Sequence, residues 1–392
     1  MIIRRFLRWV RTASPRARAE ASGALARAYL CCDLSPDDRN AAESAMIALL
    51  DDPSPLVRRA LAEALAVSRD APRAVIRALA SDHRDIAAVV LARSPLLIDA
   101  ELVDFVATCD GALQATIATR TPLGRAVAAA IAEVGSAEAC LVAIENSHAD
   151  VDPASLACIA DRFGHLGAVR EALFARPDLP LAARQALVRQ LSSALAALVA
   201  DRNWLTRDRA EEIGREACEK ATVTIAALQA NDVRSLVRHL RASGQLTAGL
   251  ILRALLSGNT AMFEGALAEL AKVPLRRVHA LAHKGGDAAL RAVFDKAGLP
   301  AAAYVAFREA LTAVRAAQDE PPPPLARERV GRLKRPMVAR ALMGCEQSDI
   351  GDLDPLMILL RRFANEAARE DARANCERLL AEDASADEVA AA

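Results

Sequence analysis

The chain is poor in aromatic residues, in lysine and in histidine. Phe, Trp and Tyr together make up 3% of its 392 residues, and only five lysines and six histidines occur. Strands favour aromatic and β-branched side chains, so this scarcity argues against a β-rich fold. Alanine and leucine, which are strong helix formers, are abundant instead. The composition therefore predicts an all-α protein.

Sequence motifs of common enzyme classes are also missing. The chain has no GxSxG, GxxxxGK[ST], strand-bound GxGxxG or HExxH motif, and no His-Glu dipeptide. We therefore predict a non-enzymatic protein with no cofactor. His279 and His283, four residues apart on a predicted helix, are the one candidate pair of metal ligands. The sequence shows no third ligand, so two capping or solvent-facing histidines are the alternative interpretation.

Charge and hydropathy exclude further classes. The 50 basic and 50 acidic residues give a formal net charge of zero, which disfavours nucleic-acid binding because such proteins usually carry a basic excess. No apolar run approaches the about 18 residues of a membrane-spanning helix. The eight cysteines have no CxxC spacing, which is typical of buried thiols in a reducing cytoplasm.

A pattern of a short turn followed by an Ala- and Leu-rich helix recurs in the first half of the chain. Residues 48–59 are similar to residues 78–89, and residues 91–96 to residues 118–123. Self-similarity at such a period indicates stacked helix pairs. Helix starts are marked by a capping residue before proline, at Ser35-Pro36, Ser54-Pro55, Asp152-Pro153 and Asp354-Pro355.

These signals predict an all-α, HEAT-like α-solenoid of stacked antiparallel helix pairs, with a short helical extension after a Pro-rich linker. The predicted divisions are N-terminal HEAT-like repeats (1–200), a second helical block continuing the array (201–318), the Pro-rich linker (319–324), C-terminal helices (325–380) and a disordered tail (381–392).

Several segments carry a resemblance to a known family, among them residues 6–13, 51–62, 176–180 and 244–247. With these segments the chain resembles a family of uncharacterised alphaproteobacterial proteins, classed as a domain of unknown function. The resemblance implies a HEAT-like helical-repeat fold. It implies no activity and no role for any residue.

Three groups of residues are candidate surfaces. The N-terminal residues Arg4, Arg5, Arg8, Trp9 and Arg11 could contact a partner or an anionic membrane, or form a helix that caps the open end of the stack. In the first repeat, Asp52, Arg58 and Arg59 could bind a partner, although an internal ladder between repeats is the interpretation we favour.

The third group is basic and follows the Pro-rich linker: Arg327, Arg329, Arg332, Lys334 and Arg335. It could contact an acidic partner, a nucleic-acid backbone or the acidic tail of the chain, and a solvated helix face is the default. From the repeat pattern we predict a cytoplasmic scaffold that binds another protein along its solenoid surface. Nucleic-acid binding and peripheral membrane attachment are the alternatives, and the sequence leaves the oligomeric state open.

Overall fold

The computed structural model describes residues 2–228, 232–318, 331–348 and 354–391. In these ranges the chain forms 22 α-helices and a short 3-10 helix, Ala301–Ala303. The β-structure of the described residues is a single isolated bridge between Leu123 and Ala149. The prediction of an all-α fold is therefore confirmed. The chain divides into two units, Met1–Leu179 and Pro180–Ala392.

The first unit contains twelve helices, which stack in two rows. Their bounds are α1 Ile2–Val10, α2 Pro15–Cys31, α3 Pro36–Leu49, α4 Pro55–Leu65, α5 Arg73–Ala80, α6 Arg84–Arg93, α7 Asp99–Thr108, α8 Gly111–Ala118, α9 Arg125–Val134, α10 Ala137–Glu145, α11 Pro153–Phe163 and α12 Gly167–Ala175. Each even-numbered helix from α2 to α10 packs on the next even-numbered one, and α1–α3–α5 and α7–α9–α11 pack likewise. This order is that of a helical-repeat solenoid, because each pair buries its apolar stripes against the pairs on either side.

The second unit contains the other ten helices. Their bounds are α13 Leu181–Asp201, α14 Arg207–Leu228, α15 Val233–Ala242, α16 Ala248–Leu256, α17 Thr260–Ala271, α18 Leu275–Lys284, α19 Asp287–Lys296, α20 Tyr304–Gln318, α21 Arg335–Glu346 and α22 Pro355–Ala391. The helices α13, α15, α17 and α19 form one row, and α20, α21 and α22 pack in succession. The core includes Phe263, Phe294 and Phe307, whose rings lie 5.2–5.9 Å apart.

The Pro-containing start signals begin helices where the sequence predicted. At the start of α11, the Asp152 carboxylate accepts a 2.7 Å hydrogen bond from the Ser155 backbone amide. At the start of α3, the Ser35 hydroxyl accepts a hydrogen bond from the Asp38 backbone amide. At α4 the cap differs, because the Ser54 side chain makes no capping hydrogen bond. Instead, the Asp52 carboxylate accepts a 2.8 Å hydrogen bond from the Ser54 backbone amide. Each of these contacts satisfies an amide that the first helical turn leaves unpaired.

The boundary between the two units lies before α13, whereas the sequence predicted it after residue 200. The reason is that α13 and α14 pack against each other as a helical hairpin. Gly214 permits this close approach, since a Cβ there would lie 3.2 Å from the Ser192 carbonyl oxygen. The predicted Pro-rich linker lies outside the described residues. The helix α22 extends to Ala391, through most of the segment predicted to be a disordered tail.

Candidate functional site

The predicted N-terminal surface lies on α1 and just after it. Arg5, Arg8, Trp9 and Arg11 are exposed, and α1 packs on α3. The side chain of Arg4 lies outside the described part of the chain. The position of α1 fits both predicted roles, because a helix that covers the first layer of a stack can still present a basic outer face. No described helix has the length and apolar content needed to cross a membrane.

The predicted ladder residues make contacts inside the first unit. Arg18 donates two hydrogen bonds to the Asp52 carboxylate, at 2.7 and 2.8 Å. Arg58 donates to the Asp82 carboxylate at 2.6 Å and to the Asp52 carbonyl oxygen at 2.6 Å. Thus Asp52 and Arg58 connect α2, the turn before α4 and the turn before α6. Arg59 lies outside this chain of contacts: it pairs with Glu63 on its own helix, and both side chains are half exposed.

Two further arginines also connect neighbouring helix pairs, in this case by donating to backbone carbonyl oxygens. Arg120 donates to the carbonyl oxygens of Leu91 and Ser94, at 2.6 and 2.7 Å, at the end of α6. Arg162 donates to the Ala132 and Gly135 carbonyls at the end of α9. The C-terminus of a helix carries partial negative charge, so a guanidinium there is favourable. We call Arg18, Arg58, Arg120 and Arg162 the arginine ladder; its polar contacts are internal.

The basic group after the predicted linker is only partly described. Arg327 and Arg329 lie outside the described residues. Arg332 is half-buried, while Lys334 and Arg335 are exposed at the start of α21. The Lys334 amide donates to the Leu256 carbonyl oxygen at 2.9 Å. This contact joins the start of α21 to the end of α16, so Lys334 has a structural role as well as a charged head.

The α13–α14 hairpin presents an exposed apolar end that the sequence analysis missed. Trp204, in the turn, is 69% exposed, and Leu195 and Leu198, three residues apart on α13, are 51% and 49% exposed. Leu205 and Ile213 are exposed as well. We call these five residues the hairpin patch. In the sequence, Trp204 could have indicated this surface. It is one of only two tryptophans, and it lies in a polar turn rather than in an apolar helical run.

A cavity of about 550 Å³ lies beside the same hairpin. Its apolar lining comes from small and aliphatic side chains of the three helices α13, α15 and α16, namely Ala196, Ala197, Ala200, Leu240 and Leu250. Its charged lining consists of Arg189, Arg207, Glu211, Arg215 and Glu219. Such a lining of mixed sign suits a peptide or protein side chain better than a strongly charged ligand.

The cavity lining also contains the side chains of Gln245, Thr222 and Cys218. The Gln245 side-chain oxygen accepts a 2.6 Å hydrogen bond from Gln185, a buried residue outside the lining, and Thr222 donates to the Cys218 carbonyl oxygen at 2.7 Å. Burial raises the pKa of the Cys218 thiol, so this cysteine remains protonated at neutral pH and is a poor nucleophile.

The two histidines predicted as candidate metal ligands lie on α18, and the structure brings a third group to them. The Glu264 carboxylate, on α17, lies 2.8 Å from His279 Nδ1 and 2.9 Å from His283 Nε2. Glu264 precedes His279 by fifteen residues, and the connection between α17 and α18 lies between them. The sequence alone showed no third ligand, because Glu264 reaches the histidines only through the packing of α17 on α18.

The stacking of successive helix pairs defines a helical-repeat protein. Residues 86–343, more than half of the chain, match a family described as an uncharacterised protein conserved in bacteria (DUF2336), and the chain belongs to this family. No curated protein and no solved structure matches the chain. The hairpin patch and the Glu264–His279–His283 cluster both lie within the matched residues.

Proposed function

We propose that the chain is a HEAT-like helical-repeat scaffold that binds another protein without catalysing a reaction, and that the hairpin patch is the contact. The observation that carries the proposal is the exposure of Trp204 together with Leu195 and Leu198. Tryptophan is enriched among the residues that contribute most to protein–protein binding. Exposed apolar side chains grouped on one element are typical of an interaction surface.

The construction of the hairpin supports this assignment. Its helices, Leu181–Asp201 and Arg207–Leu228, are about twice as long as most helices of the first unit. From residue 193 to residue 209 the only buried side chain is Ala196. The distal half of the hairpin is therefore held mainly by contacts between its own two helices. Such an element presents its side chains to solvent on a rigid support, which suits recognition of a second protein.

The cavity beside the hairpin provides a place for a side chain of the partner. Its small apolar lining could accept an aliphatic or aromatic group, while Arg189 and Glu219 at its wall could pair with charges of either sign. The arginine ladder is not part of the proposed contact, because its guanidinium groups are already bound within the first unit. Eight free thiols suit a cytoplasmic setting, where thiols stay reduced.

Affinity capture of the full chain from a bacterial lysate, followed by mass spectrometry, tests the proposal. The hairpin variant Leu198→Ser/Trp204→Ser is compared with a matched control, Leu56→Ser/Val67→Ser, which changes equally exposed apolar residues of the first unit. We expect one stoichiometric protein with the wild type and the control but not with the hairpin variant. With purified components, loss of the patch should weaken binding about thirtyfold or more.

Two results would contradict the proposal. One is the absence of any stoichiometric partner. The other is equal retention of a partner by the hairpin variant. Sedimentation velocity of the purified chain, at increasing concentration, shows in addition whether the hairpin patch binds a second copy of the same chain. Self-association lost in the hairpin variant would identify that copy as the partner.

Membrane attachment through α1 is a second candidate, favoured by the exposure of Leu7 and Trp9 next to Arg5 and Arg8. Basic amphipathic helices bind anionic lipid surfaces. Flotation with vesicles containing phosphatidylserine tests it. Charge reversal in Arg5→Glu/Arg8→Glu should abolish flotation, whereas Arg59→Glu, at a comparably exposed position, should not. Equal recovery of all three proteins with or without vesicles would dismiss this candidate.

A further inference from the structure

A buried carboxylate and two imidazoles meet between α17 and α18. Glu264 has a side chain only 7% exposed, whereas His283 is 21% and His279 is 61% exposed. The two histidines are separated by one helical turn, and their rings lie 4.4 Å apart. The cluster therefore has a buried inner ligand and an outer edge open to solvent, which would allow an ion to enter.

Both oxygens of the Glu264 carboxylate face imidazole nitrogens. Among the described residues its ion-pair contacts are with the two imidazoles alone, one on each oxygen. Buried carboxylates are typically paired with a cation or bind a metal. Arg315, which contacts α18, donates to the Ala282 and Leu281 carbonyl oxygens. A bound cation would place a fixed positive charge beside the Glu264 carboxylate.

The positions of the three groups suit a tetrahedral ion. Their ligand atoms all lie within 4.8 Å of one another. Bonds of about 2.0–2.1 Å to Zn²⁺ would place ligand atoms about 3.3 Å apart. An oxygen–nitrogen pair now at hydrogen-bond distance would open by about half an ångström, and a pair now near the 4.8 Å limit would close by about 1.5 Å. Side-chain torsions are the degrees of freedom that make changes of this size.

We propose that Glu264, His279 and His283 form a binding site for a divalent transition-metal ion of the Zn²⁺ type. Two imidazole nitrogens and one carboxylate oxygen are ligands that Zn²⁺ accepts, and three protein ligands leave one position for water. The ion would replace two hydrogen bonds with three coordinate bonds between α17 and α18. This site is independent of the hairpin patch, and its test does not depend on any protein partner.

Isothermal titration with Zn²⁺ measures the site directly in the full chain. Because exposed thiols also bind zinc, all proteins carry Cys31→Ser, Cys32→Ser and Cys376→Ser, which remove the three exposed cysteines. We expect one ion per chain. His279→Ala, which alters a mostly exposed side chain and should leave the fold intact, is expected to weaken binding at least tenfold. Glu264→Gln and His283→Ala should weaken it as much.

The matched control is His148→Ala, which removes an exposed histidine of the first unit and should leave the affinity unchanged. Co²⁺ provides a second readout, because its visible absorption reports the coordination geometry and the bands should disappear in His279→Ala. Circular dichroism confirms that each variant is folded. The proposal is overturned if the parent protein binds no ion, or if His279→Ala and His148→Ala bind Zn²⁺ alike. In either case the three residues form a structural hydrogen-bonded cluster only.

Discussion

Arg253 and Glu366 form a two-point ion pair that joins α16 to α22, across 113 positions of sequence. The Arg253 side chain is only 4% exposed, and its guanidinium donates to both Glu366 oxygens at 2.9 and 2.8 Å. The same guanidinium lies 4.6 Å from the centre of the Phe363 ring. Lys220 on α14 also contacts Glu366. The C-terminal helix is therefore an integral part of the second unit.

Removal of one partner of this pair should release α22. We expect Glu366→Ala to lower the free energy of unfolding of the second unit by about 2–4 kcal/mol, because Arg253 would be left buried and unpaired. Hydrogen exchange measured by mass spectrometry should show faster exchange across residues 355–377. The control is Glu63→Ala, which breaks an exposed pair with Arg59 and should cost less than about 1 kcal/mol.

A second variant separates the loss of the pair from the cost of an unpaired charge. Arg253→Met/Glu366→Met replaces both groups with apolar side chains of similar length. This double variant should recover most of the stability lost in Glu366→Ala, since buried pairs contribute little beyond a well-packed apolar contact. Equal exchange rates in α22 for the wild type and Glu366→Ala would show that the pair does not hold the helix.

The Arg18–Asp52 pair makes the stability of the first unit dependent on pH. The hydrogen bonds from Arg18 hold the pKa of Asp52 below its ordinary value. At pH values between the folded and unfolded pKa of Asp52, the folded state therefore binds fewer protons than the unfolded state. The resulting stabilisation is fully present above the unfolded pKa of about 4 and is lost as the pH falls through the folded pKa.

Thermal unfolding followed by circular dichroism checks this dependence. Asp52→Asn should lower the melting temperature at pH 7, and the difference from the wild type should shrink as the pH falls below about 4. Asp51→Asn, at the exposed neighbouring position, should match the wild type at every pH. A difference for Asp52→Asn that is constant with pH would mean that the ionised carboxylate is not the source of the stabilisation.

Local signals in the sequence were sufficient to predict the helices but not the contacts between distant ones. Prolines after a capping residue determined the starts of α3, α4, α11 and α22, because those signals act within one turn of the backbone. The recurring turn and Ala- and Leu-rich helix likewise predicted stacked pairs. In contrast, Glu264 meets His279 only because α17 packs on α18, and no short-range pattern encodes that contact.

The extent of the second unit and the exposure of the hairpin patch also depend on packing between helices. In sequence α13 is one more Ala- and Leu-rich helix, and its packing on α14 and α15 is what places it with the helices after it. Exposure is also a property of the fold. Leu195 and Leu198 have the spacing of a buried stripe, yet both are half exposed in the described part of the structure.

Replacement of a glycine in the turn after α16 should lower the stability of the protein. Gly258 has a φ of +80°, and a Cβ at this position would lie 2.5 Å from Lys334 Nζ. Gly258→Ala should therefore cost about 1–2 kcal/mol of stability from the left-handed backbone alone. Gly286→Ala is the control, because nothing lies within 4 Å of its added Cβ and its φ is −72°. Urea unfolding of the two variants should differ; equal midpoints would show that the turn can relax without cost.

The cysteines should separate into two kinetic classes towards a thiol reagent such as Ellman's reagent. Cys140 and Cys345 are fully buried, and burial raises the pKa of each thiol to about 11. Since the thiolate is the reactive form, these two should react only when the protein unfolds. The exposed Cys31, Cys32 and Cys376 should react first. Stopped-flow absorbance in buffer and in urea measures both classes, with mass spectrometry to assign the modified sites. Early labelling of Cys140 in the folded chain would mean that the layer between α9 and α10 opens far more readily than its packing indicates.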